Sequence, residues 1–194
     1  MSEDDTLVFW ESVDRNRILA FARRLGWSGS GDVERGHFVL ASERFTTSDG
    51  TTIEYLEDHT GDVRFVQLSG PSQASVASIL RESLPCYEAS EILRTLPDSK
   101  EPLEWLRGLS RLAVYRPRHT NTLYLSLWSR ALNHADPSVR RAAVRTSYGC
   151  TWPELLPLVL GRIAVEREIK RPLQALARHL QSGAAGAATT RPSA

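Results

Sequence analysis

The spacing of apolar and polar positions changes character near the middle of the chain. In DRNRILAFARRLG, Ile18, Phe21, Ala22 and Leu25 recur at helical intervals, with Asp14 placed to cap the start and Gly26 to stop the helix. Three strand-like runs follow the polar SGSGD, which reads as a loop. HFVLAS (37–42) is short and apolar, while TTIEYLE (51–57) and DVRFVQL (62–68) alternate. Ile53 and Tyr55 oppose Glu54, and Val63 and Phe65 oppose Arg64. DHTGD joins the last two runs, with Gly61 at the expected positive-φ position, so a hairpin is predicted. GPSQASVASILRESL then returns to helical period through Val76, Ile79, Leu80 and Leu84, with Ser or Pro chemistry at its start.

From Pro85 onward every signal is helical. YEASEILRTL and EPLEWLRGLSRLAVY carry apolar residues three and four apart, among them Leu103, Leu106, Leu109 and Leu112. Four further helices are expected over 120–133, 137–148, 152–164 and 167–181. The tail SGAAGAATTRPSA is small and turn-rich and is expected to be disordered. The predicted organisation is an α+β layer over 1–84, built as helix, three-stranded antiparallel sheet and helix. An all-α region follows over 85–181, then a disordered tail over 182–194.

Composition sharpens this only in part. The 194 residues suffice for one domain or two small ones. No apolar run approaches the eighteen or so residues of a membrane span, so no membrane partner is expected. The acidic start MSEDDTLVFW lacks the basic-then-apolar pattern of a secretory signal, and a cytoplasmic location is expected. Cys86 and Cys150 lie far apart without metal-type spacing and read as buried or idle thiols. The net charge of +1 conceals an asymmetry: the first hundred residues hold 10 basic and 17 acidic side chains, and the remaining 94 hold 14 and 6. Such a basic half suits nucleic acid, an acidic protein or the acidic half itself. Arginine outnumbers lysine 22 to 2 throughout the chain, which reflects coding bias better than a phosphate site.

The all-α half repeats itself. DPSVRRAA from Asp136 and EREIKRPL from Glu166 align at an offset of 30 residues, acid on acid, Val139 on Ile169, and Arg140 and Arg141 on Lys170 and Arg171. Asp136 is placed to cap a helix that has Pro137 at its first position. Val139, Ala142, Ala143 and Thr146 form one packing stripe. Asp136 with Arg140, and Glu166 with Lys170, are acid then cation four apart, the favourable order for a helical pair. Thr151 and Glu154 have capping-box spacing for the next helix.

ALNHADPSVRRAAV, a glycine-containing turn and WPELLPLVLGRI resemble a HEAT repeat of the short bacterial, PBS-lyase type, over about residues 120–181. The resemblance implies stacked helical hairpins. It also implies that Asp136, Arg140, Glu166 and Lys170 form a structural ladder between neighbouring repeats.

Catalytic patterns are missing from the sequence. Five histidines (37, 59, 119, 134 and 179) are scattered without ligand spacing, and GSGDVE lacks the third glycine of a dinucleotide fingerprint. Glu54, Glu57 and Asp58 read as a solvated acidic face. No catalytic, metal or cofactor site is expected, and no enzymatic activity. Broad helical-hairpin faces suit protein partners, so the expected function is a protein-interaction module, adaptor or inhibitor, such as a bacterial immunity protein or a subunit of a larger assembly. Arg141, Arg145, Tyr148, Arg162, Arg167 and Arg171 are its candidate contact residues. Trp105, Tyr124, Trp128 and Trp152 are further candidate anchors, although core packing is favoured for Trp128 and Trp152. The alternative is binding of a nucleic-acid backbone through Arg140, Arg141, Arg145, Arg162, Arg167, Lys170 and Arg171.

Overall fold

The computed structural model describes residues 5–32, 41–58, 61–115, 121–150 and 152–188. The chain divides into two compact units, 1–92 and 93–194.

Among the described residues the first unit holds a six-stranded antiparallel sheet, two helices and the start of a third. In chain order it contains β1 (Thr6–Phe9), α1 (Arg15–Arg24), β2 (Ser28–Asp32), β3 (Ala41–Thr46), β4 (Thr52–Asp58), β5 (Val63–Ser69), α2 (Gln73–Ser83) and β6 (Cys86–Tyr87). The strands lie in the order β2-β3-β4-β5-β1-β6. Leu7, Phe9, Phe45, Ile53, Tyr55, Val66 and Leu68 pack with Ile18, Phe21 and Ala22 of α1 and Val76, Ala77 and Leu80 of α2. Burial of each valine, leucine, isoleucine or phenylalanine among these contributes about 1.5–3 kcal/mol before the entropy of ordering is counted. Asp14 caps α1 by accepting from the Arg17 N–H at 2.9 Å, and Gly26 ends it at φ 68°.

The β4–β5 hairpin forms in the predicted register, with Ile53 opposite Leu68 and Tyr55 opposite Val66. The remaining strand expectations need correction. The positive φ of the connection is at Asp62 (50°), not Gly61. SGSGD is a strand, because edge strand β2 is held by backbone pairing to β3 and accommodates its glycines at an irregularity between Gly29 and Asp32. β1, which the sequence pattern does not predict, pairs with both β5 and β6 and is buried along its length. A strand buried on both faces has no alternation to reveal it. β6 likewise replaces helical signal just after Pro85. His37–Leu40 of the third predicted run lie outside the described residues, and its end, Ala41–Ser42, opens β3. Ile79, assigned to the apolar face of α2, is 41% exposed.

α3 (Ala89–Thr95) carries the chain to a 3-10 turn at Leu96–Asp98 and on to α4 (Pro102–Tyr115), α5 (Thr122–Leu132), α6 (Pro137–Ser147), α7 (Leu155–Val165) and α8 (Lys170–Ala188). Within the second unit, α4 lies beside α6 and α6 beside α8, while α5 packs on α6 and α7, and α7 on α8. Two rows result, α4-α6-α8 and α5-α7. The predicted stripe Val139, Ala142, Ala143 and Thr146 is buried, and Leu103 of α4 is exposed at 55%. α7 begins three residues later than its predicted start at 152; Thr151, the expected cap, lies outside the described residues. α8 continues to Ala188 rather than ending at 181, since AAGAA is rich in the best helix former. Residues 189–194 of the expected disordered tail lie outside the described residues.

Candidate interaction surface

The charged residues of the second unit fall into an inner and an outer set. Asp136 caps α6, its Oδ1 accepting from the Ser138 N–H at 2.7 Å and the Ser138 hydroxyl at 2.6 Å. Those bonds hold its carboxyl below the usual carboxylate range, the hydroxyl's contribution being the larger. Asp136 is thereby committed to its own helix start. Arg140, one turn on, reaches elsewhere: its Nε donates to Oε2 of Glu166 at 2.8 Å, and its Nη1 donates to the carbonyls of His134 and Ala135 at 3.0 and 2.7 Å.

Glu166, at the end of α7, also accepts from Nη2 of Arg140 at 3.5 Å and gathers four bonds from other residues. Arg162 donates to its Oε2 through Nε and Nη2, at 3.0 and 2.7 Å. The backbone N–H groups of Arg167 and Glu168 donate to Oε1 at 3.0 and 2.9 Å. Burial alone would raise the Glu166 carboxyl, but the bonds from Arg162, Glu168 and Arg140 outweigh it and hold the group at about 2. The Arg140 and Glu166 side chains are 8% and 2% exposed, so this is an interior ion cluster joining the α5–α6 loop, the start of α6 and the α7–α8 loop. The expected helical pairs, Asp136 with Arg140 and Glu166 with Lys170, are replaced by Arg140 with Glu166. Lys170 is exposed at the start of α8.

Three predicted contact residues, Arg141, Arg167 and Arg171, are exposed. Arg145 is exposed too, although its Nη2 lies 3.4 Å from the Ser110 hydroxyl of α4. Arg162 is not a surface contact: its side chain is 18% exposed and bound to Glu166. Arg141, Arg145 and Tyr148 stand four and then three apart, on one stripe of α6. Tyr148 is 41% exposed and its ring centroid lies 5.4 Å from that of His179 on α8. On α8, Arg178 is also exposed and lies seven residues after Arg171, on the same stripe. Sequence reasoning missed Arg178 and His179. The seven-residue spacing from Arg171 was the available signal for Arg178, whereas only the fold brings His179 to Tyr148.

The other aromatic candidates are interior. Trp105, Tyr124, Trp128 and Trp152 are all buried. Tyr124, Trp128 and Trp152 form one cluster with centroids 5.8–6.4 Å apart, in stacked and edge-on arrangements.

In the first unit the predicted acidic face is internally engaged. Glu54 lies 3.5 Å from Arg44, Glu57 accepts from the Tyr55 hydroxyl at 2.8 Å, and Asp58 accepts from the Gly61 N–H at 3.3 Å. A groove of about 300 Å³ is lined by Asp5, Glu54, Gln67 and Gln73 together with Leu68. His37, His59 and His119 lie outside the described residues. Among the described residues no three His, Cys, Asp or Glu side chains group to hold a metal ion, and no helix is long and apolar enough to cross a membrane. Comparison of the chain with protein-family models, with curated proteins and with solved structures gives no match.

Proposed function

We propose that the chain is a non-enzymatic protein-interaction module, an adaptor or inhibitor, whose second unit is a short HEAT-like stack that meets an acidic protein through the outer stripes of α6 and α8. The observation that carries this reading is the division of the arginines. Arg140 and Arg162 are neutralised inside by Glu166, while Arg141, Arg171 and Arg178 are exposed on the two helices that the Tyr148–His179 contact joins. Arginine and tyrosine are among the residues enriched in interaction hot spots.

Two features support the HEAT-like part. The helices lie in two rows, and the offset of 30 residues pairs Arg140 with the acid equivalent to its own Asp136, as a ladder between repeats requires. A bacterial immunity protein, or a subunit of a larger assembly, fits this reading.

Affinity capture of the tagged chain from its native host, followed by mass spectrometry, tests it. The expected result is a protein partner in stoichiometric amount that is lost on Arg141→Glu/Arg171→Glu. The alternative, contact with a nucleic-acid backbone through the same arginines, predicts co-purifying nucleic acid whose affinity falls steeply with added salt, and that result would overturn the adaptor reading.

A further inference from the structure

The 30-residue repetition extends to the outer arginines. That interval, counted both ways from Arg141 of α6, gives Arg111 of α4 and Arg171 of α8, one arginine on each helix of the row. Two contacts fix how α6 and α8 lie. Near the start of α6, Arg140 reaches Glu166, ahead of α8, at 2.8 Å. At its end, the Tyr148 ring lies 5.4 Å from that of His179, well inside α8. The two helices therefore run side by side in the same direction and in repeat register, with Arg141 level with Arg171. Arg111 is only 8% exposed, so the ladder meets solvent on α6 and α8.

Among the described residues neither Arg141 nor Arg171 has a side-chain ion pair or hydrogen bond, and Glu168, three residues before Arg171, lies 3.9 Å from Arg140 instead. Packed helices lie about 8–10 Å apart, so two like charges set level on them are complemented by two anions at that spacing. Chain conformation decides what supplies them. A β-strand places side chains of one face about 6.6 or 13 Å apart, to either side of the gap. An α-helix returns to one face after seven residues, about 10.5 Å on, but would have to cross both helices near right angles, the rarer packing. A polyproline II chain returns every third residue, about 9.3 Å on, and is slender. The geometry points to an extended acidic segment of the partner protein, in polyproline II conformation with a carboxylate at every third residue. It lies across α6 and α8, and Arg141 and Arg171 each hold one carboxylate. This rests on the proposed reading of that face as the contact surface for an acidic protein, and adds the spacing by which the partner is recognised.

Three labelled peptides, titrated with the full chain at low salt and followed by fluorescence anisotropy, test this. The first is four Glu-Pro-Pro triplets. The second has the same composition and charge as four Glu-Pro pairs followed by four prolines, which leaves no two glutamates three apart. The third is an alanine-rich helix with glutamates seven apart. The triplet peptide is expected to bind about tenfold tighter than its isomer, because both arginines engage at once. Arg141→Ala and Arg171→Ala are each expected to abolish that difference while leaving the urea midpoint unchanged. Equal binding of the two isomers overturns the proposal, as does tightest binding of the helix or a preference that survives Arg141→Ala. If the isomers bind alike and Arg141→Ala weakens both, the spacing fails and the basic face stands. Absence of binding by all three peptides also overturns the proposal, and capture with Arg141→Glu/Arg171→Glu then shows whether the face itself fails with it.

Discussion

Arg140 of α6 and Glu166 at the end of α7, 26 residues apart in sequence, are joined Nε to Oε2 at 2.8 Å with both side chains buried. Removing one side of such a pair leaves a buried charge without its counterion, which costs more than the pair itself contributes. Glu166→Leu is therefore expected to lower unfolding stability by about 3 kcal/mol, measured by urea titration. Arg140→Met combined with Glu166→Leu is expected to be more stable than Glu166→Leu alone, because no Arg140 guanidinium is then stranded. A double variant less stable than the single one would show that the pair is not the unit of stabilisation.

The same cluster sets an acid limb. The folded Glu166 carboxyl, at about 2, lies below its ordinary 4.5, so the native state binds the proton less readily than the unfolded chain does. Stability from this group is present above about 4.5 and is lost as pH falls towards about 2. Thermal unfolding followed through that window is expected to show a fall that Glu166→Gln largely removes, because the substituted amide does not titrate there.

How legible this cluster was depends on which rule is applied. Acid and cation four apart on a helix suggested Asp136 with Arg140, and that rule treats each helix as isolated. In the structure Asp136 is occupied by Ser138, and Arg140 turns to the next loop. The 30-residue offset already aligned Asp136 with Glu166, so the correct partner was written in the repetition rather than in the local spacing. The helices α4 to α8 were readable because each buries one stripe. β1 and β2 were not: one is buried throughout and shows no period, and the other is held by backbone bonds that glycine and serine form as well as any residue. Exposure separated Arg141 from Arg162, a distinction residue type alone does not make.

Thr6 offers a stabilising substitution. Its hydroxyl is buried in β1 with no hydrogen-bond partner among the described residues, and the residue is 1% exposed. Thr6→Val keeps the shape and the β-branch while removing the unsatisfied group, and is expected to raise stability by about 1 kcal/mol by urea titration. A loss of stability would show that the hydroxyl is satisfied.

The thiols are expected to be inert. Burial, with a smaller contribution from Glu88, pushes the Cys86 thiol up to about 11, and Cys150 is 4% exposed. At pH 8 only roughly one Cys86 in a thousand is a thiolate, so reaction of the native protein with a disulfide reagent is expected to be slow and to accelerate sharply on unfolding. Rapid labelling of the folded chain would contradict this.

The most direct test of the central claim compares two arginine sets against the captured partner. Arg141→Glu, Arg171→Glu and Arg178→Glu are each expected to leave the urea midpoint unchanged and to weaken partner binding at least tenfold by calorimetry. Arg140→Glu is expected to lower the midpoint instead. Binding that is indifferent to the three outer substitutions would contradict the assignment of α6 and α8 as the contact face.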